Sequence, residues 1–186
     1  SEKLMSTAVK EVEYQIIGEN PMDTDRLWNK LYRLFTYIGS RGFTTSLTAG
    51  FDIALWDIKG KAANMPIYDL LGGRYRDAIR LYCNVWFSGC NTPEEYAEAA
   101  KKNLLGKNYE ACKLDPFLEM TPYHTMYQDG FISQKGEQEG YDIVAAVREV
   151  VGPTFEILID AHGHYNVPNA IRLANNLYEK YKITWF

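Results

Sequence analysis

Strand-like and helical segments alternate along the second half of the chain. Short apolar runs that are typical of buried strands are each followed by a stretch whose apolar residues recur with helical period. The predicted strands cover residues 78–86, 109–114 and 155–160, with a fourth starting at Ile183, and the predicted helices cover residues 92–104, 137–151 and 168–181. Because strands that alternate with helices of this length usually pair in parallel, the pattern predicts βα units.

The first half of the chain carries mainly helical signals. The predicted helices cover residues 2–17, 24–35, 45–62 and 67–71, and Gly72-Gly73 ends the last of them. The change of pattern after Gly73 predicts a domain boundary, with residues 1–77 on one side and residues 78–186 on the other.

The predicted βα units are too few for a closed fold. Three units and a bare strand cannot cover both faces of a sheet, and an eight-unit (β/α) barrel needs roughly 200 residues or more. A chain that stopped at Phe186 would also leave an exposed apolar strand edge. We therefore expect an α/β fold containing part of a (β/α) barrel, in a sequence that is an internal fragment. A finished half-size fold is the alternative.

The composition argues against several classes of function. There are 20 Lys and Arg against 24 Asp and Glu, and such interspersed charges, with a formal net charge of −4, do not suit a nucleic-acid-binding surface. No apolar stretch approaches the roughly 18 residues that span a bilayer, and the first residues do not resemble a secretory signal. The three cysteines lack metal-ligand spacing and are typical of reduced thiols. We expect a cytoplasmic protein that binds neither nucleic acid nor membranes.

Charged residues stand at the ends of two predicted strands. Residues i and i+2 of a strand face the same side, so Lys113 and Asp115 share a face, as do Asp160 and His162. Since the carboxyl ends of barrel strands form the active-site face, these four side chains are predicted to meet in one mouth. The alternatives are a solvated Lys113–Asp115 pair and a turn over residues 160–164 with exposed histidines. The histidines of that turn are only a weak zinc signal, because no third ligand is visible.

The connection after the second predicted strand, residues 116–136, is long and polar. It carries Tyr123, His124, Tyr127 and Phe131. Long connections within compact domains are often functional, so this one is predicted to be an active-site loop.

Several segments, taken in order, resemble the mandelate racemase branch of the enolase superfamily. The resemblance begins with Asn20-Pro21-Met22-Asp23 and the helix that follows. It is very close over residues 49–62, over Pro66-Ile67-Tyr68-Asp69-Leu70-Leu71-Gly72-Gly73 and at Arg76-Asp77. The resemblance implies an α+β capping domain over a modified (β/α) barrel. Residues 1–77 would be the helical part of the capping domain with its link to the barrel, and residues 78–186 the truncated N-terminal portion of the barrel.

The same resemblance implies a chemistry. In this family a base removes the proton next to a carboxylate, and one Mg²⁺ stabilises the resulting enediolate. Asp160 matches the first metal ligand, and two more ligands are expected beyond Phe186. Lys113 matches a Lys beside the metal site and the carboxylate, while Asp115 stands where many relatives carry a second Lys that acts as a base. His162 matches the general acid that protonates the departing hydroxyl in sugar-acid dehydratases of this branch.

Other residues are interpreted as substrate contacts. They are Arg41 in the loop before the third helix, the three residues Tyr82, Asn84 and Trp86 at the end of the first predicted strand, and His164. His164 stands where relatives often have an Arg, which leaves its contacts open.

We therefore expect the complete parent protein to dehydrate a sugar acid, an aldonate or aldarate, to a 2-keto-3-deoxy acid, with Mg²⁺ as cofactor. The chain by itself is expected to be inactive, because the base is missing from it. One alternative is a racemase, epimerase or sugar-lactone cycloisomerase on the same scaffold, and another is a truncated relative that acts only by binding. The resemblance also implies a homo-oligomer.

Overall fold

The computed structural model describes residues 2–120 and 130–186, which form two compact units, Ser1–Ala78 and Ile79–Phe186. Tyr123, His124 and Tyr127 of the predicted active-site loop lie outside the described residues. Phe131, from the same connection, is described and is 57% exposed.

The first unit is helical. It consists of α1 (Glu2–Val12), a 3-10 turn (Glu13–Gln15), α2 (Thr24–Leu34), α3 (Phe43–Ala63) and α4 (Ile67–Leu70). These elements confirm the predicted helices to within a few residues at each end.

A glycine and a left-handed residue end α3. Asn64 adopts a positive φ of 51°, and the backbone N–H of Met65 turns back to donate to the carbonyl of Gly60 at 3.0 Å. A Cβ at position 60 would lie 3.1 Å from the Met65 carbonyl oxygen, so glycine makes this close approach possible. Elsewhere in this unit Leu31 and Leu47 pack together in a small apolar core.

The second unit alternates helices and strands. Its elements are α5 (Pro93–Asn103), β1 (Ala111–Leu114), a 3-10 turn (Leu118–Met120), α6 (Gln134–Val151), β2 (Glu156–Ile159) and α7 (Val167–Tyr181). The predicted start of α5 is confirmed, because Thr92 and Glu95 form a capping box in which each side chain accepts the other's backbone N–H at 3.3 Å.

The strands form a small parallel sheet. β1 pairs with β2 in parallel, with Lys113 opposite Leu158. On the outer side of β1, Cys83 forms one parallel bridge with Cys112, and on the outer side of β2, Leu158 forms one with Trp185. Four segments of the chain therefore lie side by side in sequence order, all running in the same direction.

The predicted strand over residues 78–86 is wrong apart from the bridge at Cys83. Val85 has a left-handed φ of 60° and is 65% exposed, so the chain bends away from the sheet. The next carbonyl along this edge of β1, that of Lys113, accepts a hydrogen bond from the indole Nε1 of Trp86 at 2.9 Å. The acceptor that a continuing strand would need is thus taken by a side chain.

The core of the second unit lies around the two strands. Leu114 of β1, Ile157 and Ile159 of β2 and Leu177 of α7 are fully buried in one apolar cluster. Burial on both faces is typical of a parallel sheet covered by helices. Among residues 2–120 and 130–186, no helix combines the length and apolar character required to cross a bilayer.

Candidate active site

The carboxyl ends of β1 and β2 bring four ionisable side chains together. The backbone N–H of Asp160 donates to the carbonyl of Leu114 at 3.0 Å, which holds the two strand ends side by side. Lys113 and Asp115 come from the first end, and Asp160 and His162 from the second. The parallel register therefore produces the cluster that the i, i+2 spacing predicts.

Lys113 and Asp160 form the central ion pair of the cluster. Lys113 Nζ donates to Asp160 Oδ2 at 2.5 Å, and the two side chains are only 14% and 22% exposed. Burial by itself would raise the pKa of Asp160, but the hydrogen bonds from Lys113 and from the His162 backbone, with the nearby positive charges, hold it below its usual value. The hydrogen bond to Asp160 raises the pKa of Lys113. Both groups are therefore charged at neutral pH.

A strained turn aims His162 at both carboxylates. His162 has a left-handed φ of 48°, and Gly163 follows with a φ of 66°. The backbone N–H of His162 donates to Asp160 Oδ1 at 3.1 Å. Its ring Nε2 lies 3.1 Å from Asp115 Oδ2, and Nδ1 lies 3.3 Å from Asp160 Oδ1. A non-glycine residue in this conformation costs about 1 kcal/mol or more, and such strain is concentrated at functional sites.

Three of these side chains offer a donor set for a cation. Ligand atoms of Asp115, Asp160 and His162 all lie within 4.8 Å of one another. Two carboxylates suit a hard cation such as Mg²⁺, which takes oxygen ligands, whereas an imidazole suits transition metals better. The carboxylate oxygens, with the ionised Asp160 foremost, are thus the groups of this cluster that fit Mg²⁺.

Several residues that were not predicted from the sequence also lie at these strand ends. A small cleft at the cluster is lined by Asp115, Phe117, Met120, Asp160, Ala161, His162, His164 and Tyr165. Phe117, Met120 and Tyr165 follow the strand ends by a few residues, so position after a strand was the signal that could have identified them. His164 lies in this cleft with its ring centroid 5.7 Å from that of His162.

The residues predicted as substrate contacts differ from one another in exposure and in hydrogen bonding. Tyr82 is 44% exposed, while the Asn84 side chain accepts from the backbone N–H of Val85 at 2.8 Å. Trp86 is only 7% exposed. Its indole packs in the core and donates to the backbone carbonyl of Lys113, and its role as a substrate contact stays a prediction. Arg41 is exposed in the loop before α3 of the first unit.

Comparison with known families covers most of the chain. Residues 1–72 match the family model of the mandelate racemase / muconate lactonizing enzyme N-terminal domain, and residues 95–186 match that of the enolase C-terminal domain-like family. The chain belongs to the mandelate racemase and muconate lactonizing enzyme family. The resemblance noted in the sequence is thereby confirmed.

The similar proteins include a dehydratase and a cycloisomerase. The D-gluconate dehydratase of Thermoproteus tenax is 34% identical over 180 residues, covering 95% of this chain and 33% of that protein. The D-galactarolactone cycloisomerase of Agrobacterium fabrum is 34% identical over 174 residues, covering 92% of this chain and 41% of that protein. The solved structure of an enolase superfamily member from Salmonella Typhimurium matches with a TM-score of 0.83 at 30% identity, covering 100% of this chain and 50% of that one. This chain thus spans between a third and a half of the length of these relatives.

Proposed function

We propose that this chain, in a protein of the full length of its relatives, catalyses the Mg²⁺-dependent dehydration of a sugar acid, an aldonate or aldarate, to a 2-keto-3-deoxy acid. The observation that carries the proposal is the cluster of Lys113, Asp115, Asp160 and His162 at two neighbouring strand ends. The dehydratase name of a relative at 34% identity supports the reaction type.

The fold assignment belongs to the same proposal. Residues 78–186 would be the N-terminal portion of a (β/α) barrel, and residues 1–77 the helical part of a capping domain. The sequential, all-parallel order of the segments around Cys83, β1, β2 and Trp185 supports a barrel, because barrel strands are neighbours in chain order. A homo-oligomeric state and a cytoplasmic location are parts of this proposal that rest on the resemblance and the composition alone.

The side chains divide the reaction between them. A base, expected in the part of the family's length that this chain does not match, removes the proton from the carbon next to the substrate carboxylate. The Lys113 ammonium stabilises the negative charge that develops on the substrate carboxylate. As the neighbouring C–O bond breaks, His162 gives its proton to the departing hydroxyl, which leaves as water. The enol that remains takes up a proton on the carbon that lost the hydroxyl, releases the proton of its enol hydroxyl, and so becomes the 2-keto-3-deoxy acid.

Asp115 and Asp160 prepare His162 for this role. Both carboxylates lie within 3.3 Å of an imidazole nitrogen, so they orient the ring. Asp160 would also hold the Mg²⁺, which when bound supplies Lewis-acid stabilisation of the charge on the substrate carboxylate.

An assay on the full-length protein tests the proposal. Aldonates and aldarates are incubated with the protein and Mg²⁺, and 2-keto acid is detected as its semicarbazone. His162→Asn should lower kcat by about 100-fold, since a general acid contributes on that order. Asn is chosen because it tolerates the left-handed φ at position 162. Lys101→Met, at an exposed ion pair on α5, is the control and should retain full activity. Absence of keto acid from every substrate tested would refute the proposal.

A second candidate is isomerisation, as a racemase, epimerase or lactone cycloisomerase. The cycloisomerase name of a relative at 34% identity favours this alternative. The two reactions differ in product, because only dehydration yields a 2-keto acid. Conversion of a sugar lactone without a semicarbazone signal would therefore select isomerisation.

A further inference from the structure

One edge of β1 is completed by two aromatic side chains instead of a neighbouring strand. Backbone pairing on this edge stops at Cys83, which accepts from the N–H of Lys113 at 2.9 Å. Further along the edge, the carbonyl of Lys113 accepts from the indole Nε1 of Trp86 at 2.9 Å. The carbonyl of Asp115 accepts from the hydroxyl of Tyr96 at 3.1 Å. The two peptide carbonyls held in this way belong to two of the residues in the active-site cluster.

Both donors are buried and packed against each other. Trp86 is 7% and Tyr96 1% exposed. Their rings meet edge to face with centroids 6.1 Å apart, and Phe87 stacks on Tyr96 at 5.7 Å. Asn103, at the end of α5, donates from its side chain to the carbonyl of Trp86 at 3.0 Å. The donors therefore have little freedom to follow a moving strand end, and they act as a fixed support for it.

The contacts of the cluster depend on where this strand end lies. Lys113 reaches Asp160 and Asp115 reaches His162 across to the end of β2, each at 3.1 Å or less. A shift of the strand end of less than 1 Å would lengthen these contacts beyond hydrogen-bonding distance. An apolar pair of the same shape would fill the core equally well but would leave both carbonyls without a partner.

We infer that Trp86 and Tyr96 are positioning residues, which hold the backbone of Lys113 and Asp115 so that the active-site cluster keeps its geometry. This inference rests on the proposed function for its catalytic consequence. The alternative hypothesis is that both residues only fill the core. The two hypotheses predict different effects on kcat when the Tyr96 hydroxyl is removed.

The substitution Tyr96→Phe separates the readings, because it removes the hydrogen bond and keeps the ring packing. Tyr141→Phe is the matched control: Tyr141 is 4% exposed, and its hydroxyl donates to Glu137 at 2.6 Å on α6. In the full-length protein with Mg²⁺, Tyr96→Phe should lower kcat by about tenfold with KM within twofold, since small misplacements of catalytic groups cost that order. Tyr141→Phe should lower the melting temperature without changing kcat. Wild-type kcat in Tyr96→Phe would overturn the inference.

A double-mutant cycle tests whether Tyr96 acts through Asp115. Combined with Asp115→Asn, Tyr96→Phe should lower kcat by less than a further twofold, because the group it positions has already been altered. An undiminished tenfold loss in that background would contradict the inference.

Amide hydrogen exchange provides a readout that does not depend on the reaction. The backbone N–H of Asp160 donates to the carbonyl of Leu114, and that of His162 donates to the Asp160 carboxylate. Both N–H groups should exchange about tenfold faster in Tyr96→Phe than in wild type or Tyr141→Phe. Equal exchange rates would refute positioning even if the wild-type protein formed no keto acid. Absence of keto acid with faster exchange would instead refute the proposed reaction and leave positioning upheld.

Discussion

Replacing Lys113 by Met should destabilise the protein by about 2 kcal/mol. The substitution keeps the apolar stem but leaves the Asp160 carboxylate, 22% exposed, without its 2.5 Å partner. At an effective dielectric constant of about 20, two unit charges 2.5 Å apart gain roughly 7 kcal/mol of Coulomb energy, most of which offsets desolvation. The chain offers a control pair of nearly equal length: Lys101 Nζ lies 2.6 Å from Glu98, with side chains 54% and 71% exposed. Lys101→Met should cost less than about 0.5 kcal/mol.

The pH dependence follows from the directions of the two pKa shifts. The pKa of Asp160 is lowered on folding, so its stabilisation is present above its unfolded pKa of about 4 and is lost as the pH falls through the folded value. The pKa of Lys113 is raised, so its stabilisation is present below about 10.4 and is lost as the pH rises through the folded value. The full difference between wild type and Lys113→Met is therefore expected from about pH 5 to pH 9.

Urea unfolding followed by circular dichroism measures this difference. Wild type, Lys113→Met and Lys101→Met are compared at pH 7 and at pH 3. The difference in the free energy of unfolding between wild type and Lys113→Met should be smaller at pH 3 than at pH 7. The small effect of Lys101→Met should stay small at both. An equal gap at both pH values, or a control effect as large as that of Lys113→Met, would refute the reasoning from burial.

Three further substitutions have expected effects on the free energy of unfolding, each measured by urea titration. Arg148→Met should cost about 3 kcal/mol, because its half-buried guanidinium donates to four backbone carbonyls that would lose their partner; a loss below 1 kcal/mol would contradict this. Gly140→Ala should cost about 2 kcal/mol, since its Cβ would lie 2.2 Å from the ring of Phe117; an unchanged midpoint would show that the ring yields freely. Thr92→Ala should cost about 1 kcal/mol through loss of the capping box with Glu95, and Thr92→Ser should restore most of it.

The helices were predictable because their signals are local. Thr92 followed by Pro93 marks the first turn of α5, and Gly152 marks the end of α6, where it adopts a φ of 82°. Such signals depend on a few neighbouring residues and on hydrogen bonds that close within one turn. Neither requires knowledge of what the helix packs against.

The first strand was not predictable because pairing is non-local. The apolar alternation at Leu81, Cys83 and Val85 is typical of a strand, yet only Cys83 pairs. Whether a strand continues depends on which donors reach the facing carbonyls, and here Trp86 and Tyr96 reach them first. Nothing in the sequence around position 81 encodes that competition, since Tyr96 belongs to the following helix.

The candidate active-site cluster depends on both local and non-local features of the chain. The spacing of Lys113 and Asp160 on two parallel strands was sufficient to predict that they meet, because parallel register carries i, i+2 positions to one end of a sheet. The contact between Asp115 and His162 depends in addition on the left-handed conformation of His162, which turns the ring back over the strand ends. That conformation is costly for histidine and is held by the Asp160 carboxylate through the backbone N–H. Asp160 therefore has two structural roles, pairing with Lys113 and fixing the turn, so Asp160→Ala, which removes both acceptor oxygens, should disturb His162 even where no metal is bound.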